Sequence, residues 1–191
     1  MAAALLLADT VLCASDDHSG ALLIAGVCLL CSFHTRALEV LHKATILRPT
    51  HHIIRREFAR ALFVSQQYVA ALQQIQRGLQ FGKDKSSLLL LAQTLIALDR
   101  RDQAIGVLQD CIQWPQSHPT AHVLLAKCLK QANEFERCEQ VLIEACEQYS
   151  HHAAVRMEYG RMLFDLRNRQ MEAIQLMEQA CQCKYVLYNC C

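Results

Sequence analysis

Proline and glycine are scarce, with three and six in 191 residues, and aromatic residues make up only 6% of the chain. Leu, Ala, Gln and Glu are plentiful instead, a mixture that favours helices and sets strands aside. No sign of charge dominates: the formal net charge is +1, and acidic and basic side chains are scattered singly. Without a polybasic run there is no surface to neutralise phosphates, so nucleic acid is excluded as a partner. Long apolar runs are missing too. Met1 to Ala8 is too short to span a bilayer and is followed by Asp9, so no transmembrane helix is expected. No Lys or Arg precedes the apolar stretch from Ala2 to Ala14, so it lacks the charged start of a secretory signal.

What is present is apolar bulk, 53% of the residues, enough for a sizeable core and incompatible with disorder. Eleven cysteines would suggest a disulfide framework in a small secreted protein. Several stand at small positions of a helical pattern, where reduced Cys acts as a compact hydrophobe, so a reducing cytoplasm or nucleus fits better.

The chain repeats itself. Arg36 to Ala44, Ala70 to Gly78, Gln103 to Cys111, Arg137 to Ala145 and Glu172 to Ala180 share one pattern: small, apolar, two spacers, apolar, two spacers, small. The first small residue recurs at positions 37, 71, 104, 138 and 173, steps of about 34 residues. Upstream of each copy stands a large-small pair with a further large residue: Ile24-Ala25 with Cys28, Phe58-Ala59 with Leu62, Leu91-Ala92 with Leu95, Leu125-Ala126 with Leu129, and Tyr159-Gly160 with Leu163. Each unit thus holds two helices, nested where a small residue of one receives a large residue of the other.

This pattern resembles the tetratricopeptide repeat (TPR) family, and the resemblance covers residues 18–185. It implies an all-α, right-handed TPR-type α-solenoid of about five helix-turn-helix repeats, at 18–51, 52–84, 85–118, 119–152 and 153–185. Of the repeat-ending prolines only Pro49 is in phase, with Pro115 and Pro119 just beside their expected place. Ala3, Leu7 and Thr10 fall 34 residues before Ala37, Leu41 and Ala44, so residues 1–16 read as a half-repeat or capping helix. Residues 186–191 read as a short apolar, Cys-rich tail.

The resemblance also implies a function. First helices of such repeats line a concave face on which the family holds peptides of its partners. The family's groove positions fall on Leu22, Gly26 and Leu29 in the first repeat and on Arg56, Arg60 and Phe63 in the second. In the third they fall on Leu89, Gln93 and Ile96, in the fourth on Val123, Lys127 and Lys130, and in the fifth on Met157, Arg161 and Phe164. The expected groove is basic with apolar steps, suited to a peptide mixing acidic and hydrophobic residues. Solvated basic side chains on exposed helix faces are the plainer reading of the same residues. The Lys-Asn-Asn-Lys-Arg clamp by which some members hold a terminal carboxylate has no counterpart here. Residues 51–95 and 150–163, particularly 82–92 and 155–163, are further similar to later repeats of the seventh-type scaffold subunit of the anaphase-promoting complex. That likeness implies a nuclear, non-catalytic role in a ubiquitin ligase, as a homodimer or within a large complex.

Catalysis and metal binding find little support. There is no Gly-rich phosphate loop, no His-Glu-x-x-His and no Gly-x-Ser-x-Gly elbow. Cys111 and Cys138 sit at small core positions, so burial explains them better than nucleophilic attack. Cys28-x-x-Cys31 has ligand spacing but no second pair nearby, and Cys181-x-Cys183, Cys190-Cys191, His51-His52 and His151-His152 lie far apart in the stack. No cofactor, metal or enzymatic activity is expected. Replacing Ala71 or Ala104 by leucine should overpack the seam between helices and cost about 1 to 3 kcal/mol, measurable by urea denaturation.

Overall fold

The computed structural model describes residues 19–29, 34–114, 117–150, 152–165 and 169–188. The half-repeat expected at 1–16 and residues 189–191 of the expected tail lie outside these, as do Cys31 and His151. The described residues form ten α-helices and no strand: α1 Ser19–Leu29, α2 His34–Leu47, α3 His52–Val64, α4 Tyr68–Leu79, α5 Lys85–Ala97, α6 Arg101–Ile112, α7 Pro119–Gln131, α8 Phe135–Gln148, α9 Ala153–Asp165 and α10 Gln170–Tyr188. The chain divides into two compact units, Met1–Arg100 with α1 to α5 and Arg101–Cys191 with α6 to α10.

Helix ends follow local chemistry. Asp84 caps α5, its carboxylate accepting from the Ser87 amide at 3.2 Å and satisfying a donor that the helix cannot. At α7, His118 Nδ1 accepts from the Thr120 amide at 3.2 Å, and Pro119 takes the first turn, where a missing N–H costs nothing. The turns that close α3, α5 and α7 are copies of one another. Gln66, Asp99 and Asn133 are left-handed, with φ of 62°, 60° and 61°. The amide of the next residue returns to a carbonyl five residues back: Gln67 to Leu62, Arg100 to Leu95 and Glu134 to Leu129, each at 2.9 Å. Three helices thus end in the same turn although none has glycine there.

The small positions read from the sequence form the seams. In the first unit Ala25, Ala37, Ala44, Ala59, Ala71 and Ala92 are fully buried, and Ala25, Ala37 and Ala71 join Leu41, Phe58 and Leu62 in one core cluster. In the second unit Ala104, Cys111, Ala145 and Ala173 are equally buried. Close approach is directly visible at two seams. The Cys138 thiol of α8 donates to the Ala126 carbonyl of α7 at 3.3 Å. A methyl group added at Gly160 of α9 would lie 2.9 Å from Met177 Cγ and 3.1 Å from the Ala173 carbonyl oxygen of α10. Second helices also pack on the first helix of the next pair, so α1, α3 and α5 adjoin in the first unit, and α7 and α9 in the second.

One polar group enters the second core. His122 is 2% exposed, edge-on to Tyr149 with ring centres 5.5 Å apart, and its Nδ1 makes no hydrogen bond. Tyr149 in turn donates its hydroxyl to the buried Ser117 carbonyl, tying the end of α8 to the start of α7.

Two outcomes follow from these features. Burial holds the His122 imidazole below its ordinary pKa of 6.5, outweighing the opposing pull of the His118 carbonyl and Glu144. The unfolded chain therefore binds this proton more readily, and the stability involved is intact above the ordinary value and declines as pH falls below it. Melting temperatures from pH 8 down to pH 5 should fall less steeply for His122→Leu than for the native chain. Gln66→Gly should raise stability by about 1 kcal/mol, read from urea denaturation, because glycine carries no side-chain penalty in the left-handed region.

Candidate functional site

The faces built by the first helices hold most of the residues singled out by the resemblance, but not all of them. Leu22 and Gly26 do not belong to a groove. Leu22 is buried with Ala44 and Ile54, and a methyl at Gly26 would strike Leu41 Cγ at 2.4 Å, so both face the second helix of their pair. Val123 is likewise core, packed with Ala145 and Val155. All three stand at the same distance from the small residue of their helix as the groove positions of the other repeats, so spacing alone could not separate them.

In the first unit, Arg56, Arg60 and Phe63 lie on α3 and Leu89, Gln93 and Ile96 on α5. Arg56 is committed within the protein. Its guanidinium donates to Glu57 Oε1 at 3.0 Å and to Asp84 Oδ2 at 2.7 Å, joining the middle of α3 to the cap of α5. Burial pushes its pKa down, but the hydrogen bonds and charges of Asp84 and Glu57 outweigh this and leave it raised. Burial likewise pushes the Asp84 carboxyl up, and its bonds to Ser87 and Arg56 carry it below the usual carboxylate range. Arg60 extends the chain of charges: its Nη2 is 2.5 Å from Glu57 Oε2, and its side chain is half exposed. Phe63 is half-buried against the core and edge-on to Tyr68, with ring centres 5.4 Å apart. Leu89, Gln93 and Ile96 are half-buried.

In the second unit, Lys127 and Lys130 lie on α7 and Met157, Arg161 and Phe164 on α9. Lys127 Nζ and Arg161 Nη1 approach the same oxygen, Glu158 Oε2, at 3.6 and 3.9 Å. Lys130 pairs with Asp165. Arg161 and Phe164 are nonetheless exposed, and Met157 is half-buried.

The residues that sequence reasoning missed are the two glutamates. Glu57 is 5% exposed and Glu158 9%, yet each sits at the centre of its face with cations around it. A buried carboxylate is tolerated only with such partners. The signal was there to be read: Arg55-Arg56-Glu57-Phe58-Ala59-Arg60 and Arg156-Met157-Glu158-Tyr159-Gly160-Arg161 share Arg, Glu, aromatic, small and Arg at matching places. The basic groove expected from the sequence is therefore charge-compensated, since each of its five cations has a carboxylate within 4 Å.

Among the described residues no three His, Cys, Asp or Glu side chains come together as metal ligands. His51 and His52 stack on each other with ring centres 6.0 Å apart, and Cys181 is exposed. Burial pushes the Cys138 thiol up to about 11, the behaviour of a packed hydrophobe and not of a nucleophile. No helix among the described residues is long and apolar enough to cross a membrane.

No family model and no curated protein matches the sequence. Solved structures do match the fold. The structure titled YrrB, a TPR protein with an unusual peptide-binding site, superposes with a TM-score of 0.68 at 17% identity, over 92% of this chain and 91% of that one. PilF of Pseudomonas aeruginosa superposes with a TM-score of 0.75 at 16% identity, over 87% of this chain and 78% of that one. MamA of Desulfovibrio magneticus RS-1 gives 0.71 at 14% identity, over 83% and 90%. At these identities the likeness concerns architecture alone, and that architecture is an all-α, TPR-type solenoid fold.

Proposed function

We propose that the chain is a non-enzymatic scaffold that binds peptides or subunits of other proteins on the first-helix face of each unit. The observation that carries this reading is the pair of buried glutamates. Glu57 pairs with Arg60 at 2.5 Å, which orients that guanidinium before any ligand arrives, and Glu158 stands 3.9 Å from Arg161 at the equivalent place; both cations stay partly open to solvent. Ordering such side chains in advance removes an entropic cost that binding would otherwise meet. Beside them lie apolar side chains: Phe63, Leu89 and Ile96 in the first unit, Met157 and Phe164 in the second, with Gln93 as a neutral hydrogen-bonding group.

The two faces differ in charge. Arg56 and Arg60 are balanced by Glu57 and Asp84, whereas Lys127, Lys130 and Arg161 outnumber Glu158 and Asp165 by one. An acidic residue of the partner is therefore favoured on the second face, and an apolar segment with free carbonyls on the first. The partition into five repeats at 18–51, 52–84, 85–118, 119–152 and 153–185 is part of this proposal.

A narrower reading, a scaffold subunit of the anaphase-promoting complex with a role in cell-cycle control, draws on the likeness of residues 51–95 and 150–163 alone, particularly 82–92 and 155–163. Co-purification with cell-cycle ubiquitin-ligase subunits, and homodimerisation in solution, are its expected signs; their absence removes it.

Arg60→Gln and Arg161→Gln, at side chains 46% and 61% exposed, leave Glu57 paired with Arg56 and Glu158 beside Lys127, and should weaken capture of the bound protein about tenfold or more each. That corresponds to loss of one charge-assisted contact of about 1.5 to 3 kcal/mol. Affinity purification with mass spectrometry, then titration of the recovered partner, measures this. Unchanged recovery by the double variant removes the groove reading.

A further inference from the structure

Each second helix packs against the first helix of the pair that follows: α2 on α3, α4 on α5, α6 on α7 and α8 on α9. The residue after the leading small position makes that contact. Leu38 packs on the cluster containing Phe58, and Glu139 accepts a hydrogen bond from the Tyr159 hydroxyl at 3.4 Å. In the second case the residue met is the large member of the next helix's large-small pair. His42, four residues after Leu38, lies against the same Phe58 ring, with centres 5.5 Å apart.

On α10 the corresponding residues are uncovered. Ile174 is 46% exposed, whereas its counterpart Leu72 is 7% exposed. Cys181 is exposed where Leu79, Ile112 and Cys146 are half-buried. Met171, 80% exposed, and Glu178 flank them and are open to solvent like their counterparts Val69 and His42, so the newly uncovered positions are Ile174 and Cys181. Spacings of three and four place Met171, Ile174, Glu178 and Cys181 on one side of the helix.

We propose that this side of α10 is a docking surface for an amphipathic helix of a partner protein, one carrying an aromatic-small pair, a large apolar residue three positions after the small one, and arginine beside the aromatic. The surface continues the interface already made four times within the chain, so the geometry that fits it is the one those four interfaces use. The aromatic residue covers Ile174 as Tyr159 meets Glu139. The arginine answers Glu178, which stands among apolar residues without being buried. The inference is independent of the groove faces.

The test uses the full chain and a fluorescein-labelled, lactam-stapled peptide of residues 52–64, which carries Phe58, Ala59, Leu62 and three arginines. Stapling is needed because a helix of this length is marginal alone. Fluorescence anisotropy should show saturable binding, weakened at least tenfold by Ile174→Glu in the protein and by Phe58→Ala in the peptide. Glu178→Lys should weaken it several-fold, and Arg161→Glu should leave it unchanged. Because Ile174 is half exposed, the melting curve of Ile174→Glu should match the native one. Absence of saturable binding, or equal binding to Ile174→Glu, overturns the proposal. So does concentration-dependent dimerisation that Ile174→Glu abolishes while the peptide fails to bind, which makes a second copy the occupant.

Discussion

Everything in this protein depends on how closely two helices can approach. A leucine, phenylalanine or methionine enters a neighbouring helix only where that helix offers alanine, cysteine or glycine, and the recurring small positions supply the notches. Leu41 against Gly26, Met177 against Gly160 and the Cys138 thiol on the Ala126 carbonyl display this contact. Because the notch recurs about every 34 residues, each pair of helices can be laid on the next in the same way, and the buried alanines become the axis of the stack within each unit.

Close nesting also dictates where polarity is allowed. The first-helix faces retain charge only by pairing it, and two carboxylates are carried almost fully out of water in the process. Glu57 links Arg56 and Arg60, Arg56 reaches the capping Asp84, and Asp84 holds the start of α5. One line of alternating charge thus ties the fold of the first unit to the surface it presents. Glu158 performs the shorter version, drawing Lys127 of α7 and Arg161 of α9 to a single oxygen. The pairing narrows the rotamers open to Arg56 and Arg60, which lowers the entropic cost of any contact they make.

The end of the second unit illustrates the same rule from the other side. Residues that the earlier pairs cover with the next first helix stand open on α10, so packing logic internal to the chain describes the shape and chemistry of what belongs there. Groove and end are different surfaces with different demands: one offers oriented cations beside apolar side chains, the other an apolar ridge with a single acid.

Legibility in the sequence followed interaction range. Helix content, the period, the small positions and the burial of Cys111 and Cys138 could be read from the residues, because they depend on near-neighbour spacing and on size alone. The repeated turn at Gln66, Asp99 and Asn133 could not, since none is glycine and hydrogen bonds across the turn hold them left-handed. Nor could the burial of Leu22, Gly26 and Val123, which depends on the neighbours that reach them: Ala44 and Ile54 for Leu22, Leu41 for Gly26, Ala145 and Val155 for Val123. The charge of the faces was decided only by tertiary structure. Counting residues in the chain tallies Arg56, Arg60, Lys127, Lys130 and Arg161 as free cations, and only folding brings Asp84, Glu158 and Asp165 from other helices within reach of them.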